Sequence, residues 1–277
     1  MPLPILVLML IAATLNAGWN ALVKGAGDKL FMTILLVGAS GFLGALALPF
    51  LAGPARASWP FIAASALCSV GYYAVLAKAY HEADLSLTFP LMRGTAPLLV
   101  ALASRFVVGE QPSRAGWIGV GLICCGILGL AGAVLRQSAK GAGLSLGNAV
   151  VIAVYTLIDG LGVRRSGAPV AYCLWLFLLT SAPLVGWALF SRRAAFLRYA
   201  RERAGIAVLG GGLNIVTYAT TLWAMTLAPV AVVAALRETS ILFAVVISGL
   251  VLKERVGFRR IAMACAIAGG AMVLRLA

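Results

Sequence analysis

Apolar residues in this chain run in long blocks separated by short clusters of charge. A helix that crosses a bilayer needs about 20 consecutive, mainly apolar residues. Weakly charged or charge-free blocks of that length lie at 3–23, 30–53, 58–79, 85–106, 115–135, 142–163 and 168–190, and again within 204–252 and 257–276. The uncharged run 204–236 is too long for one crossing. Ala228-Pro229 divides it into 204–226 and 230–252, because a proline inside a helix removes a hydrogen bond and clashes with the preceding turn. The pattern predicts an all-α integral membrane protein of ten transmembrane helices, with no room for a soluble domain.

Composition points the same way. Of 277 residues, 62% are apolar and 11% charged, and the mean hydropathy is +1.03. A soluble domain has about 45–50% apolar and about 25% charged residues. A soluble enzyme, a disordered chain and a secreted disulfide scaffold are excluded. The net charge is +14. The basic residues lie almost entirely between the apolar runs, where they suit anionic lipid headgroups and not nucleic acid. Two stretches stand out: 190–204 reads as a short amphipathic helix along the membrane face, and 253–260 as a tight basic turn. The five cysteines (Cys68, Cys124, Cys125, Cys173 and Cys265) sit inside apolar runs without a CxxC pair, and His81 is the single histidine. No metal site and no cofactor is expected. Met1-Pro2-Leu3-Pro4 has no basic residue before the first apolar run, so 3–23 reads as a retained span.

Sliding the chain by 144 residues aligns Arg93 with Arg237, Thr95 with Thr239, Leu98 with Leu242 and Ser104 with Ser248. It also aligns Val107 with Val251, Glu110 with Glu254, Ile123 with Ile267 and Gly126 with Gly270. The opening spans match more weakly, Lys24 with Arg164, at an offset of 140. The chain therefore divides into five-helix repeats at 1–140 and 141–277. An odd number of spans per repeat forces the halves to be inverted, a 5+5 construction that secondary transporters use, with the substrate site between the halves. The alternative is a duplicated membrane protein that does not transport.

Three features carry a family resemblance over nearly the whole chain. Trp19 precedes Lys24 at the end of the first span. Pro97 and the ending Gly109-Glu110 mark the fourth. Lys253-Glu254 repeats that ending in the ninth, although Ile241 stands where a matching proline would fall. The chain resembles the drug/metabolite transporter superfamily, specifically its EamA-type ten-span exporters, amino-acid exporters among them. The resemblance implies gradient-linked efflux of small metabolites across a bacterial inner membrane by a multi-pass protein that is not an enzyme. It also implies both termini inside, whereas the basic residues concentrate in odd-numbered loops and favour both termini outside.

Polar residues at membrane depth supply the candidate substrate site. An ionisable side chain there costs roughly 2.5–3.5 kcal/mol on insertion scales, so it faces protein or water. Arg93 and its repeat mate Arg237 read as cations that meet a substrate carboxylate or pair with Asp159 or Glu238. Asp159 and Glu238 are the candidates for carrying a proton. An ion pair between Asp159 and Arg164 is an equal reading for the former. Asn16 and Asn20 share one face beside Trp19, and Asn214, Tyr218 and Thr221 share another, serving as interhelical glue or as ligand contacts. Tyr155 lies one turn before Asp159. Tyr73, Tyr218 and Trp175 lie deep, whereas Trp59, Tyr80, Trp117 and Tyr199 read as interfacial aromatics. The expected walls are spans 1, 3, 4, 6, 8 and 9, around an amino acid or a similar amphipathic zwitterion. The glycines of spans 5 and 10 (Gly116, Gly119, Gly121, Gly126, Gly129, Gly132, Gly269 and Gly270) suit packing within a monomer or a dimer surface.

The rival cargoes are a cationic drug or a sugar phosphate. A membrane enzyme would need a reactive cluster, for which His81, Glu82 and Asp84 are the one candidate. A gated channel would show flux without saturation.

Overall fold

The computed structural model describes residues 2–82, 85–131, 138–243 and 258–276. These are almost wholly helical, and no strand occurs among them. The helices are α1 (Leu3–Lys24), α2 (Lys29–Ala47), α3 (Trp59–Glu82), α4 (Leu85–Val107), α5 (Arg114–Ala131) and α6 (Ala139–Ser166). A long stretch, Pro169–Met225, leaves helical geometry at Arg192 (φ −143°, ψ 44°), which divides it into α7 (169–191) and α8 (193–225). Then follow α9 (Val230–Arg237) and α10 (Phe258–Leu274). Five of the helical stretches are long and apolar enough to cross a membrane: Leu3–Val23, Lys29–Phe50, Arg56–Leu76, Ala139–Ser166 and Pro169–Met225. Arg114–Gly129 and Ile261–Leu274 are shorter apolar helices.

Local chemistry explains the boundaries. The Asp28 carboxylate accepts the Phe31 amide at 2.9 Å and caps α2. The Ser138 hydroxyl accepts the Gly141 amide at 3.0 Å and caps α6. Gly167 ends α6 in the left-handed region (φ 66°), a conformation that a side chain would oppose. Pro229 separates α8 from α9, where the sequence places the break.

Two expectations change. The basic stretch 190–204 is not a separate surface helix, because residues 193–203 run on unbroken into α8. Phe196 there packs edge-on against Phe31 at 5.6 Å between ring centres, and Tyr199 donates to the Asp28 carbonyl at 3.3 Å. The ninth span, 230–252, is not one regular helix. α9 ends at Arg237, and the amides of Glu238 and Thr239 bond three residues back, to Ala235 and Leu236. Helix resumes at Ser240, and residues 244–252 lie outside the described residues, as do Glu254, Lys253 and Asp84. Such a tightened turn inside a helix often marks a functional hinge.

Packing sets the topology. α1 runs antiparallel to α8: Ala12 meets Thr217, whose hydroxyl donates to the Ala12 carbonyl at 3.4 Å, while Gly18 faces Leu213 and Leu22 faces Gly210. α2 lies in a groove of α7, with Gly38, Gly41 and Gly44 facing Val185, Ser181 and Leu174 in turn. α5 and α10 pack on each other through their glycines. A Cβ on Gly126 would stand 2.9 Å from the Met263 carbonyl oxygen, and one on Gly270 would stand 2.8 Å from the Gly119 carbonyl oxygen. These small residues are spent on close contact within the chain.

The largest apolar core gathers Ile5, Met9, Ile62, Val163, Leu222 and Val230–Leu236. It fills the half of the bundle that holds the start of α1 and the end of α10, where Ile5 and Leu274 belong to it. A polar clamp closes that same end. Glu110 pairs with Arg164 at 2.6 Å and accepts the Val230 amide at 2.9 Å. Arg164 also donates to the carbonyls of Met225 (2.7 Å) and Ala228 (3.1 Å). One pair thus caps the end of α8 and the start of α9, and ties the first half of the chain to the second.

Candidate functional site

Beyond the apolar core lies a cavity of about 90 Å³, lined from α1, α3, α4, α6, α7, α8 and α9. Neither α5 nor α10 reaches it. The six spans expected as walls all contribute, and α7 joins them through Leu176, Phe177 and Thr180.

Eight residues singled out from sequence line this cavity: Asn16, Trp19, Tyr73, Arg93, Tyr155, Asn214, Tyr218 and Arg237. Three do not. Asn20 turns back along its own helix and donates to the Asn16 carbonyl at 2.7 Å. Trp175 packs edge-on against Trp59 at 4.9 Å instead of facing the cavity. Glu238 lies behind the wall, 0% exposed.

Glu238 joins the two arginines. Arg93 approaches one of its oxygens at 2.7 Å and Arg237 the other at 3.3 Å. All three side chains are buried. The guanidiniums therefore share one carboxylate at the break after α9, and both still border the cavity. Asp159 does not pair with either arginine, nor with Arg164, which is held by Glu110. It lies 0% exposed and accepts from the Tyr172 hydroxyl at 3.0 Å and, through its other oxygen, from the Tyr218 hydroxyl. The surface ion pair with Arg164 is therefore overturned. Five residues along a helix turn through roughly 140°, so the two side chains leave opposite sides of α6.

The amides act as glue and as lining together. Asn16 donates to the Ser240 hydroxyl at 3.0 Å, tying α1 to the segment after α9. Asn214 donates to the Ser40 hydroxyl at 3.3 Å, tying α8 to α2. Two groups of rings form the aromatic wall. Tyr72 meets Tyr73 at 5.0 Å and Tyr155 at 6.2 Å, and Phe177 meets Tyr218 at 5.8 Å. Trp19 Nε1 and Thr180 Oγ1 are buried polar atoms of lining residues with no hydrogen-bond partner among the described residues. Buried donors are normally satisfied, so these two are the natural contacts for a polar guest. Sequence reasoning missed Tyr72, Thr180 and Thr217. Tyr72 is the chain neighbour of Tyr73, and a single helical stripe selects only one of an adjacent pair. His81, beside Asp84, belongs to a stretch whose side chains are not described.

Comparison with known proteins places the second half of this assembly. The model of the EamA-like transporter family matches residues 139–276. Residues 139–276 are an EamA-like transporter domain. With the five long apolar stretches, the match marks a multi-pass membrane protein, and the matched family is one of transporters, not enzymes. α6 to α10, with Asp159, Asn214, Tyr218, Arg237 and Glu238, all fall inside the EamA-like domain. A solved crystal structure, described only as that of a protein, superposes with a TM-score of 0.75 at 21% identity. The match covers 98% of this chain and 95% of that one. At that identity the likeness shows the fold alone. No curated protein matches the chain.

Proposed function

We propose that this protein is a ten-span secondary transporter of a bacterial inner membrane, built as two inverted five-helix repeats, which exports amino acids or similar small amphipathic metabolites by alternating access. The observation that carries the reading is the cavity. Both halves of the chain wall it, tyrosines and Phe177 give it apolar faces, and Arg93, Arg237, Trp19 Nε1 and Thr180 give it hydrogen-bond donors. Such a lining suits a zwitterion whose side chain lies on the rings and whose carboxylate meets the donors. Binding at the junction of two half-bundles, beside an interrupted helix, is the usual arrangement in transporters of this construction.

Alternating access follows from the packing. The end that bears the start of α1 and the end of α10 is shut by the apolar core and by the Glu110–Arg164 clamp. Exposure of the cavity to that face requires the clamp to part and α9 to swing about the turn at Glu238. A cationic-drug site would keep an acid free to meet the cargo, whereas here Glu238 is engaged by two arginines and Asp159 lies behind the cavity wall, engaged by the Tyr172 and Tyr218 hydroxyls.

Counterflow tests the reading. Purified protein in liposomes preloaded with unlabelled leucine, phenylalanine or threonine should take up the matching radiolabelled amino acid with saturation, far faster than unloaded liposomes do. A rate that rises linearly with concentration and ignores the internal load would indicate a channel. No uptake of any amino acid would remove the favoured cargo class.

A further inference from the structure

We infer that Asp159 is the residue that carries a proton through the transport cycle, and that Tyr218 links its protonation to the cavity; the inference rests on the transport reading above.

Two acids are buried among the described residues, and their surroundings differ in kind. Glu238 is held between two guanidiniums, Arg93 at 2.7 Å and Arg237 at 3.3 Å. A proton on Glu238 would sacrifice both ion pairs. Asp159 is as deeply buried, and among the described residues no lysine or arginine forms an ion pair with it. The titratable or charged groups that face it are Tyr172 and Cys173 from α7, Tyr218 from α8, Cys68 from α3 and Arg237 from α9, with the Ser65 hydroxyl also beside it. Of these only Arg237 carries a charge, and its guanidinium is engaged by Glu238. An ionised carboxylate enclosed by protein without a cation is costly. The proton is the neutraliser that this site admits.

Tyr218 gives the proton a route and a consequence. Its hydroxyl donates to Asp159, while the residue itself lines the cavity, its ring against Phe177. When Tyr218 passes its hydroxyl proton to the bonded oxygen of Asp159 and takes a replacement from a hydronium ion in the cavity, which leaves as water, the carboxylate becomes a carboxylic acid and turns from acceptor to donor. The Tyr218 oxygen then accepts that hydrogen, and its own O–H turns to the cavity. Release of the proton to water at the opposite face restores the first arrangement, and no other bond is made or broken. A bound zwitterion meets a different set of donors in the two states. That difference is what lets a ligand and a proton bias one another.

The test uses the full chain in liposomes that contain a pH-sensitive dye, with radiolabelled leucine, phenylalanine and threonine as probes. The wild type should exchange a probe at equal pH, accumulate it when a pH gradient is imposed, and move protons with it. Asp159→Asn should lose both gradient-driven accumulation and the dye signal while substrate-for-substrate exchange persists, and Asp159→Glu should recover part of the coupling. Gradient-driven accumulation by Asp159→Asn at the wild-type level would overturn the inference. So would a wild type that exchanges a probe but ignores the gradient, and in that case the transport reading would survive. Absence of exchange by the wild type would instead remove the transport reading, and the inference with it. Should Asp159→Asn fail to elute as a single folded species, Tyr218→Phe carries the test. Loss of the phenol should move the pH at which accumulation is half-maximal towards higher pH, and an unmoved profile would overturn the inference.

Discussion

Glu238→Ala is expected to destabilise the protein by about 3–5 kcal/mol, the cost of leaving buried charge without its partner. The reason is the sharing of one carboxylate. Arg93 and Arg237 both reach Glu238, at 2.7 and 3.3 Å, and all three side chains are buried. Removal of the carboxylate leaves two guanidiniums at close quarters, which repel each other in a medium of low dielectric. Glu238→Gln keeps the shape and one acceptor oxygen, so its loss should be smaller. Arg237→Ala leaves the shorter pair, Arg93 with Glu238, intact and should be the mildest of the three. Melting of the detergent-solubilised protein, followed by tryptophan fluorescence, gives the order. The expected sequence of melting temperatures is wild type, Arg237→Ala, Glu238→Gln and then Glu238→Ala. A Glu238→Ala protein that melts with the wild type would show that the three charges do not depend on one another.

Tyr218→Ala and Arg237→Ala are expected to reduce counterflow to the level of protein-free liposomes. Tyr218 is the residue through which the cavity meets Asp159, and its loss removes both a stretch of apolar wall and the link to that carboxylate. Arg237 borders the cavity at the end of α9, where the helix breaks. Its loss removes a donor for a carboxylate, while the Arg93–Glu238 pair preserves the fold. Both variants should elute from size exclusion as the wild type does, which separates lost transport from lost protein. Normal counterflow in both would mean that cargo passes along another face of the bundle.

Much of this arrangement is legible in the sequence. Helix ends fall where capping chemistry and prolines place them: Asp28, Ser138, Gly167 and Pro229 each mark a boundary seen in the structure. The 144-residue offset that pairs Arg93 with Arg237 selects two residues that meet on the same carboxylate. Eight of the side chains chosen for polarity at membrane depth do line one cavity. What escaped depends on contacts between helices. Arg164 stands near Asp159 in the sequence, but five residues of helix carry the two to opposite sides, and the partners of Asp159 come from α7 and α8. Trp175 packs against Trp59, over a hundred positions away in the chain. The break after Arg237 carries neither glycine nor proline. It is held by bonds three residues back and by the Thr239 hydroxyl, which donates to the Leu236 carbonyl at 2.7 Å. Such a turn is set by the surrounding helices and not by local propensity.

The central claim is that the two halves of the chain enclose a hollow that both water and cargo enter. Thr180 tests it most directly, because it belongs to the cavity wall and its hydroxyl is buried and has no partner among the described residues. The measurement is the labelling rate of Thr180→Cys by a small water-soluble thiol reagent, in a protein whose five native cysteines have been replaced by serine or alanine. Thr180→Cys should react, and the amino acid giving the fastest counterflow should slow the reaction in a saturable way. A thiol at position 180 that stays unreactive, or that reacts at one rate whatever amino acid is present, would contradict the central claim.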